Sequence, residues 1–136
     1  MEVLKERYEW ANDALSRLAE SLVKIEREKS GPDYEDFRDS LIQRFEFSLD
    51  TFWKFLKDYL HKDQFVRVEA PNPRRVFRAC FDNKFISNDE FELLSKAVED
   101  RNLTSHTYNK ELAERIRNDI PLHYKVMRTI LDRFVI

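Results

Sequence analysis

Glycine is almost missing from this chain. One glycine, Gly31, and four prolines stand among 136 residues. A sheet protein of this length needs several turns marked by Gly, Asn or Pro, so a β architecture is not expected. A single glycine also excludes the Gly-rich loops that cradle nucleotide phosphates. Cysteine occurs once, at Cys80, and no intramolecular disulfide can form. The three histidines, His61, His106 and His123, lie far apart and share no ligand spacing with Cys80. No metal site and no cofactor are therefore expected. The chain has no 18-residue apolar run and no signal-peptide pattern, which points to a cytoplasmic protein with no membrane segment. An excess of one charge is missing too. The net charge is −2, so whole-surface binding to nucleic acid is not expected, although a local patch remains open.

What is present is helix-forming. Charged residues make up 37% and hydrophobic residues 42%, rich in Glu, Lys, Arg and Leu. The length fits one domain, residues 1–136, with a core that needs no staples. Leu4, Tyr8, Ala11, Leu15, Leu18, Leu22 and Ile25 alternate spacings of four and three. That stripe predicts a bundle helix from about Val3 to Lys29. Ser30, Gly31 and Pro32 end it, with Gly31 suited to a left-handed helix cap. Asp33 is the expected N-cap of a second helix, from about Tyr34 to His61. This helix carries Phe37, Leu41, Ile42, Phe45, Phe47, Leu49, Phe52, Trp53, Phe55, Leu56, Tyr59 and Leu60, too many for one stripe. It is either a central helix with neighbours on two sides or partly a dimer face, and the two are compatible.

Residues 62 to 72 read as a loop. Asn72 followed by Pro73 opens a short helix to about Asn83, and Ser87 with Glu90 forms a capping box for the next. Asn109 restarts the chain into a last helical region, which Pro121 should break or kink. The expectation is an all-α bundle of four main helices and a short one.

The stretch "EDRNLTSHTYN", residues 99 to 109, gathers Arg101, His106 and Tyr108. On a continuous helix Arg101 and His106 differ by roughly 140° and do not share a face. Either the helix ends inside the stretch and the bend brings the side chains together, or a groove wraps both faces. The simplest reading is an Arg and a His near a helix C-terminus, where cations suit the dipole. The alternative is chemical. An arginine can hold a scissile phosphate and stabilise its transition-state charge. A histidine, titrating near neutrality, can take a 2′-hydroxyl proton or supply one to the leaving oxygen.

Arg101 to Tyr108 resembles the R-x4-H-x-Y motif of the HEPN superfamily. More closely, three stretches resemble the nucleotidyltransferase substrate-binding proteins: "LIQRFEFSLDTFWKFLKDYL" at 41–60, "PRRVFRACF" at 73–81 and "EDRNLTSHTYNKELAERI" at 99–116. The resemblance covers most of the chain from residue 34. It implies an up-and-down antiparallel bundle that forms a homodimer with two motifs facing a shared cleft. It also implies a partner, a minimal nucleotidyltransferase encoded nearby. In some such pairs the HEPN chain is a ribonuclease toxin, and the partner silences it by moving AMP from ATP to the motif tyrosine. Carried over, Arg101 and His106 are catalytic towards RNA and Tyr108 is the AMP acceptor. AMP on Tyr108 would place negative charge and a bulky base beside Arg101. The other implied role is a non-catalytic subunit that presents a substrate to the partner.

Further residues are candidates for support. Arg44, Glu46 and Lys54 lie in the second-helix block, as structural ion pairs or as cleft residues, with Asp100 a candidate partner for a buried charge there. Asn102 shares a helix face with His106 and is placed to orient it or to bond RNA. Residues 62–84 hold six basic residues against three acidic ones. Within them Arg74, Arg75 and Arg78 form either a solvated face or a patch for RNA phosphate or an acidic partner.

Overall fold

A computed structural model describes residues 2–106 and 109–135. The stripe of the first segment becomes α1, Glu2–Arg27. Leu4, Ala11, Leu15, Leu18 and Ile25 are buried, and Tyr8 and Leu22 pack at the margin of the core. Gly31 does not take the left-handed cap expected of it, because no glycine has a positive φ. The chain instead leaves α1 through successive tight turns, in which Gly31 N–H donates to Glu28 O and Tyr34 N–H to Gly31 O. A Cβ on Gly31 would meet Glu28 Oε2 at 2.9 Å, a contact that the flexible Glu28 side chain can relieve by moving.

Helix α2, Tyr34–Lys62, follows. Asp33 sits at its N-cap but makes no side-chain capping bond. The abundance of apolar residues on α2 is explained by position: it packs against α1, α3, α4 and α5. Phe45, Phe52 and Phe55 are fully buried. Of its large apolar residues Phe47 is left open, 58% exposed, beside the half-exposed Trp10 of α1. The central-helix reading thus accounts for nearly all of the surplus.

Helix α3, Pro73–Asp82, starts as its sequence predicts, with Asn72 Oδ1 accepting the Arg75 N–H. It ends on Lys84 at φ 65°, where Phe85 N–H donates to Cys80 O and Lys84 N–H to Phe81 O. That pairing is the Schellman motif, made here with lysine in the place glycine prefers. Helix α4, Asn88–Leu103, opens on the Ser87–Glu90 capping box with both reciprocal bonds present.

Helix α5, Lys110–Leu131, is capped by Asn109, whose side chain accepts the Leu112 N–H. Of the break or kink expected at Pro121, the break does not occur, and the helix continues through it. Pro121 lies on the exposed face. There water can take the carbonyl that loses its N–H partner, while packing on either side holds the helix together.

The five helices pack antiparallel around one core. Polar clasps join them at the margin. Arg38 of α2 is buried and bonds Glu114 of α5 at 3.2 Å, which also accepts the Tyr34 hydroxyl. Arg117 of α5 bonds Glu26 of α1 at 2.8 Å. Among the described residues no helix is long and apolar enough to cross a membrane.

Candidate functional site at the end of α4

The stretch that carries the motif is where regular helix stops. Helix α4 ends at Leu103, and Thr104–His106 tighten into a 3-10 turn. The regular helix therefore ends between Arg101 and His106, the backbone condition of the first of the two arrangements considered. Thr104 stands at the C-cap. It is buried, and its hydroxyl lies 2.7 Å from Arg101 O and 3.0 Å from Glu46 Oε2. One hydroxyl proton serves one of these acceptors at a time.

Arg101 is held from two sides. Its Nη1 lies 2.9 Å from Glu46 Oε2 on α2 and 3.2 Å from Thr104 Oγ1. The side chain is still 42% exposed, so part of it stays open to solvent. Glu46 is thus brought to the motif, as the second-helix block suggested. Arg44, two residues earlier, faces the other way and donates to Arg17 O and Ser21 Oγ on α1. Lys54 pairs with Asp50 one turn back. Neither Arg44 nor Lys54 reaches the end of α4 in these pairings.

His106 is exposed in the 3-10 turn, and its carbonyl accepts the Asn109 N–H. Asn102 is exposed as well, and among the described residues no hydrogen bond joins it to His106. Tyr108 lies outside the described residues. Arg74, Arg75 and Arg78 are exposed on α3. Arg78 pairs with Asp82 and lies over the rings of Phe81 and Phe91. Arg75 reaches the Glu69 carbonyl.

Asp100 corrects one expectation. It does not partner the second-helix charges. It is fully buried, and its Oδ2 lies 2.6 Å from Nε2 of His123, itself 2% exposed on α5. Lys96 Nζ approaches Asp100 at 3.3 Å and Asp119 at 3.7 Å. The His123 ring stacks on Phe45 of α2, with centroids 5.2 Å apart. Burial pushes the Asp100 carboxyl up, but hydrogen bonds from His123 and Asp119 hold it, on balance, below its ordinary value. Burial and then the neighbouring Asp100 raise Asp119. Burial lowers His123, outweighing the pull of Asp100 in the other direction. The consistent state is an ionised Asp100 accepting from a neutral His123, with the next proton on Asp119. Nδ1 of His123 is then a buried acceptor, and it has no partner among the described residues.

Asp100, Asp119 and His123 each bring one ligand atom within 4.8 Å of the others. This is a donor set that reading histidines by spacing does not reveal. The direct Asp100–His123 bond at 2.6 Å is closer than two ligands of one cation sit, roughly 3 Å or more. Lys96 already supplies positive charge to both carboxylates. The geometry is that of a protonated polar network, not of an ion cage. Cys80 is buried, and burial pushes its thiol up to about 12, which leaves it unreactive.

Thr104, Lys96, Asp119 and His123 were not singled out from the sequence. A signal was present for the last two. His123 falls on the register of Ile116, Ile120, Met127 and Ile130, a polar residue on a core stripe, and Asp119 lies one turn before it. Asp100 stands in the same relation to Leu94 and Ala97.

The family profile described as "Nucleotidyltransferase substrate binding protein like" matches residues 6–135. A crystal structure of a Thermus thermophilus protein superposes with a TM-score of 0.79 at 32% identity, covering 90% of this chain and 97% of that one. No protein of curated function matches. The antiparallel helical bundle is of the HEPN type, and this chain belongs to the nucleotidyltransferase substrate-binding-protein-like family.

Proposed function

We propose that this chain is a HEPN ribonuclease whose activity is silenced by a cognate minimal nucleotidyltransferase. The observation that carries the proposal is the end of α4. Arg101 is oriented there by Glu46 and Thr104 with part of its side chain still open, and the exposed His106 follows within one 3-10 turn. An arginine fixed by a carboxylate is pre-organised, so less of its flexibility is lost when it grips a phosphate. In this reading His106 removes the 2′-hydroxyl proton, the 2′-oxygen attacks the adjacent phosphorus to form a 2′,3′-cyclic phosphate, the bond from phosphorus to the 5′-oxygen breaks, and the leaving 5′-oxygen takes a proton from water. Arg101 stabilises the charge that grows on the phosphorus oxygens. The reaction draws on these side chains and needs no metal.

Silencing works at Tyr108. Its phenolic oxygen attacks the α-phosphorus of ATP on the partner, the phosphoanhydride bond breaks, and pyrophosphate leaves. The resulting phosphodiester adds negative charge close in sequence to Arg101 and His106. The test joins two readouts. The chain is mixed with its nucleotidyltransferase and ATP, and intact mass and RNA cleavage are followed together. Gain of an AMP unit by the parent but not by Tyr108→Phe, with cleavage lost as mass is gained, is expected. A chain that gains AMP on Tyr108 and cleaves as before contradicts the silencing step.

A second reading has its own support. Arg101 is already neutralised by Glu46, as suits a residue that binds a phosphate or nucleotide without driving its cleavage. The chain would then be the substrate-binding subunit of a two-chain nucleotidyltransferase. Arg101→Ala would abolish transfer by the pair to an external acceptor, an outcome the ribonuclease reading does not predict.

A further inference from the structure

Two contacts converge on His123. On one side its Nε2 bonds Asp100, the residue immediately before Arg101. On the other its ring stacks on Phe45, the residue immediately before Glu46. Arg101 and Glu46 are the two halves of the ion pair at the end of α4. A single buried side chain on α5 therefore touches the backbone neighbours of both partners. Adjacent residues share a peptide plane, so a shift of Asp100 or Phe45 moves Arg101 or Glu46 with it.

We propose that His123 and Asp100 are positioning residues that set the register between α2 and α4 at the Arg101–Glu46 pair. The proposal deepens the reading of this site as a phosphate-handling centre. Neither residue contacts the solvent-open part of Arg101, so their effect passes through placement. Around the His123 ring the charged groups are Asp100 and Lys96 on α4 and Asp119 on α5, and α2 presents the Phe45 ring. Three reasons favour this over simple core filling. A leucine of similar size would fill the space without leaving a buried nitrogen unpartnered. A directional buried hydrogen bond such as Asp100–His123 specifies one arrangement where apolar packing tolerates several. Finally, the network stands at the last regular turns of α4, just before the helix gives way to the 3-10 turn.

The test reads Arg101 directly. The side-chain nitrogen signals of Arg101 are assigned in labelled protein by their loss in Arg101→Lys, then compared in Asp100→Asn, His123→Asn and Lys96→Met. Leu15→Ala, in the core of α1, is the control for general loosening. Shifted or broadened Arg101 signals in the three network variants, with the control unchanged, are expected. RNA cleavage should fall about tenfold in Asp100→Asn while His106 stays intact. Lys96 is 42% exposed, so Lys96→Met decides the matter if the buried variants do not fold. Arg101 signals that stay in place in every folded network variant, or move as far in Leu15→Ala, overturn the proposal. Moved signals in a parent that cleaves no RNA leave the positioning role standing and remove the ribonuclease.

Discussion

Two histidines of this chain occupy opposite physical worlds. His123 is 2% exposed, bonded to a buried aspartate and stacked on a phenylalanine. His106 stands open to solvent in a short turn after α4. The buried one is fixed by the fold and contributes to it. The open one makes few contacts that could contribute to stability, and its ring is accessible from solvent. The difference teaches where to look for each role. A polar residue on a core stripe points to a structural or positioning task, whereas an exposed polar residue just past a helix end is the one we propose for chemistry.

The comparison is broken most forcefully from the buried side. Asp100→Ala leaves the buried Nε2–H of the neutral His123 without its acceptor, a loss of about 3 kcal/mol, at the top of the range for stranding a buried donor. Denaturant unfolding should show that loss, and a change below about 1 kcal/mol would mean that the network is not what joins α4 to α5. Asp100→Asn keeps the shape and removes the charge, so its cost should be smaller, about 1–3 kcal/mol.

Acid sharpens the contrast at the next level. Burial holds His123 below its ordinary value of 6.5 in the folded protein. As pH falls through 6.5 the unfolded chain takes up this proton first, so stability falls towards the lower folded value. The slope is at most about 1.4 kcal/mol per pH unit. Asp119 acts with the opposite sign. Its raised value gives stability that is present at low pH and lost as pH rises through the folded value. Comparing parent with His123→Gln between pH 7.5 and 5.5 isolates the histidine, and a variant as acid-sensitive as the parent would refute its assignment. Smaller still is the loss of the α3 cap, about 1 kcal/mol in Asn72→Ala by thermal unfolding. At the bottom of the scale stands His106→Ala, whose stability should stay within about 0.5 kcal/mol of the parent.

Much of this architecture can be read from the sequence, because local rules and global packing agree. The α1 stripe, the Asn72–Pro73 start, the Ser87–Glu90 box and the Asn109 cap each lie where the residues put them. The aromatic load of α2 left a central position and a dimer face both open, and its packing against four elements accounts for the first. Failures came where context overrides local preference. Pro121 sits on a face where water can replace the lost bond, so the helix runs on. Gly31 is not the left-handed residue, while Phe65, Ala70 and Lys84 adopt positive φ. At the site, Arg101 and Glu46 were singled out separately, but their pairing spans α2 and α4 and no spacing rule reaches that far. The Asp100–His123 bond is equally long-range. Only the polar residues on core registers hinted at it.

The most direct test is RNA cleavage in EDTA by the chain with unmodified Tyr108, measured beside His106→Ala with the unfolding midpoint of each. The account predicts cleavage by the parent, its loss in the variant, and the same midpoint for both. Equal cleavage by the two proteins, or none by a folded and unmodified parent across several RNAs, would contradict it.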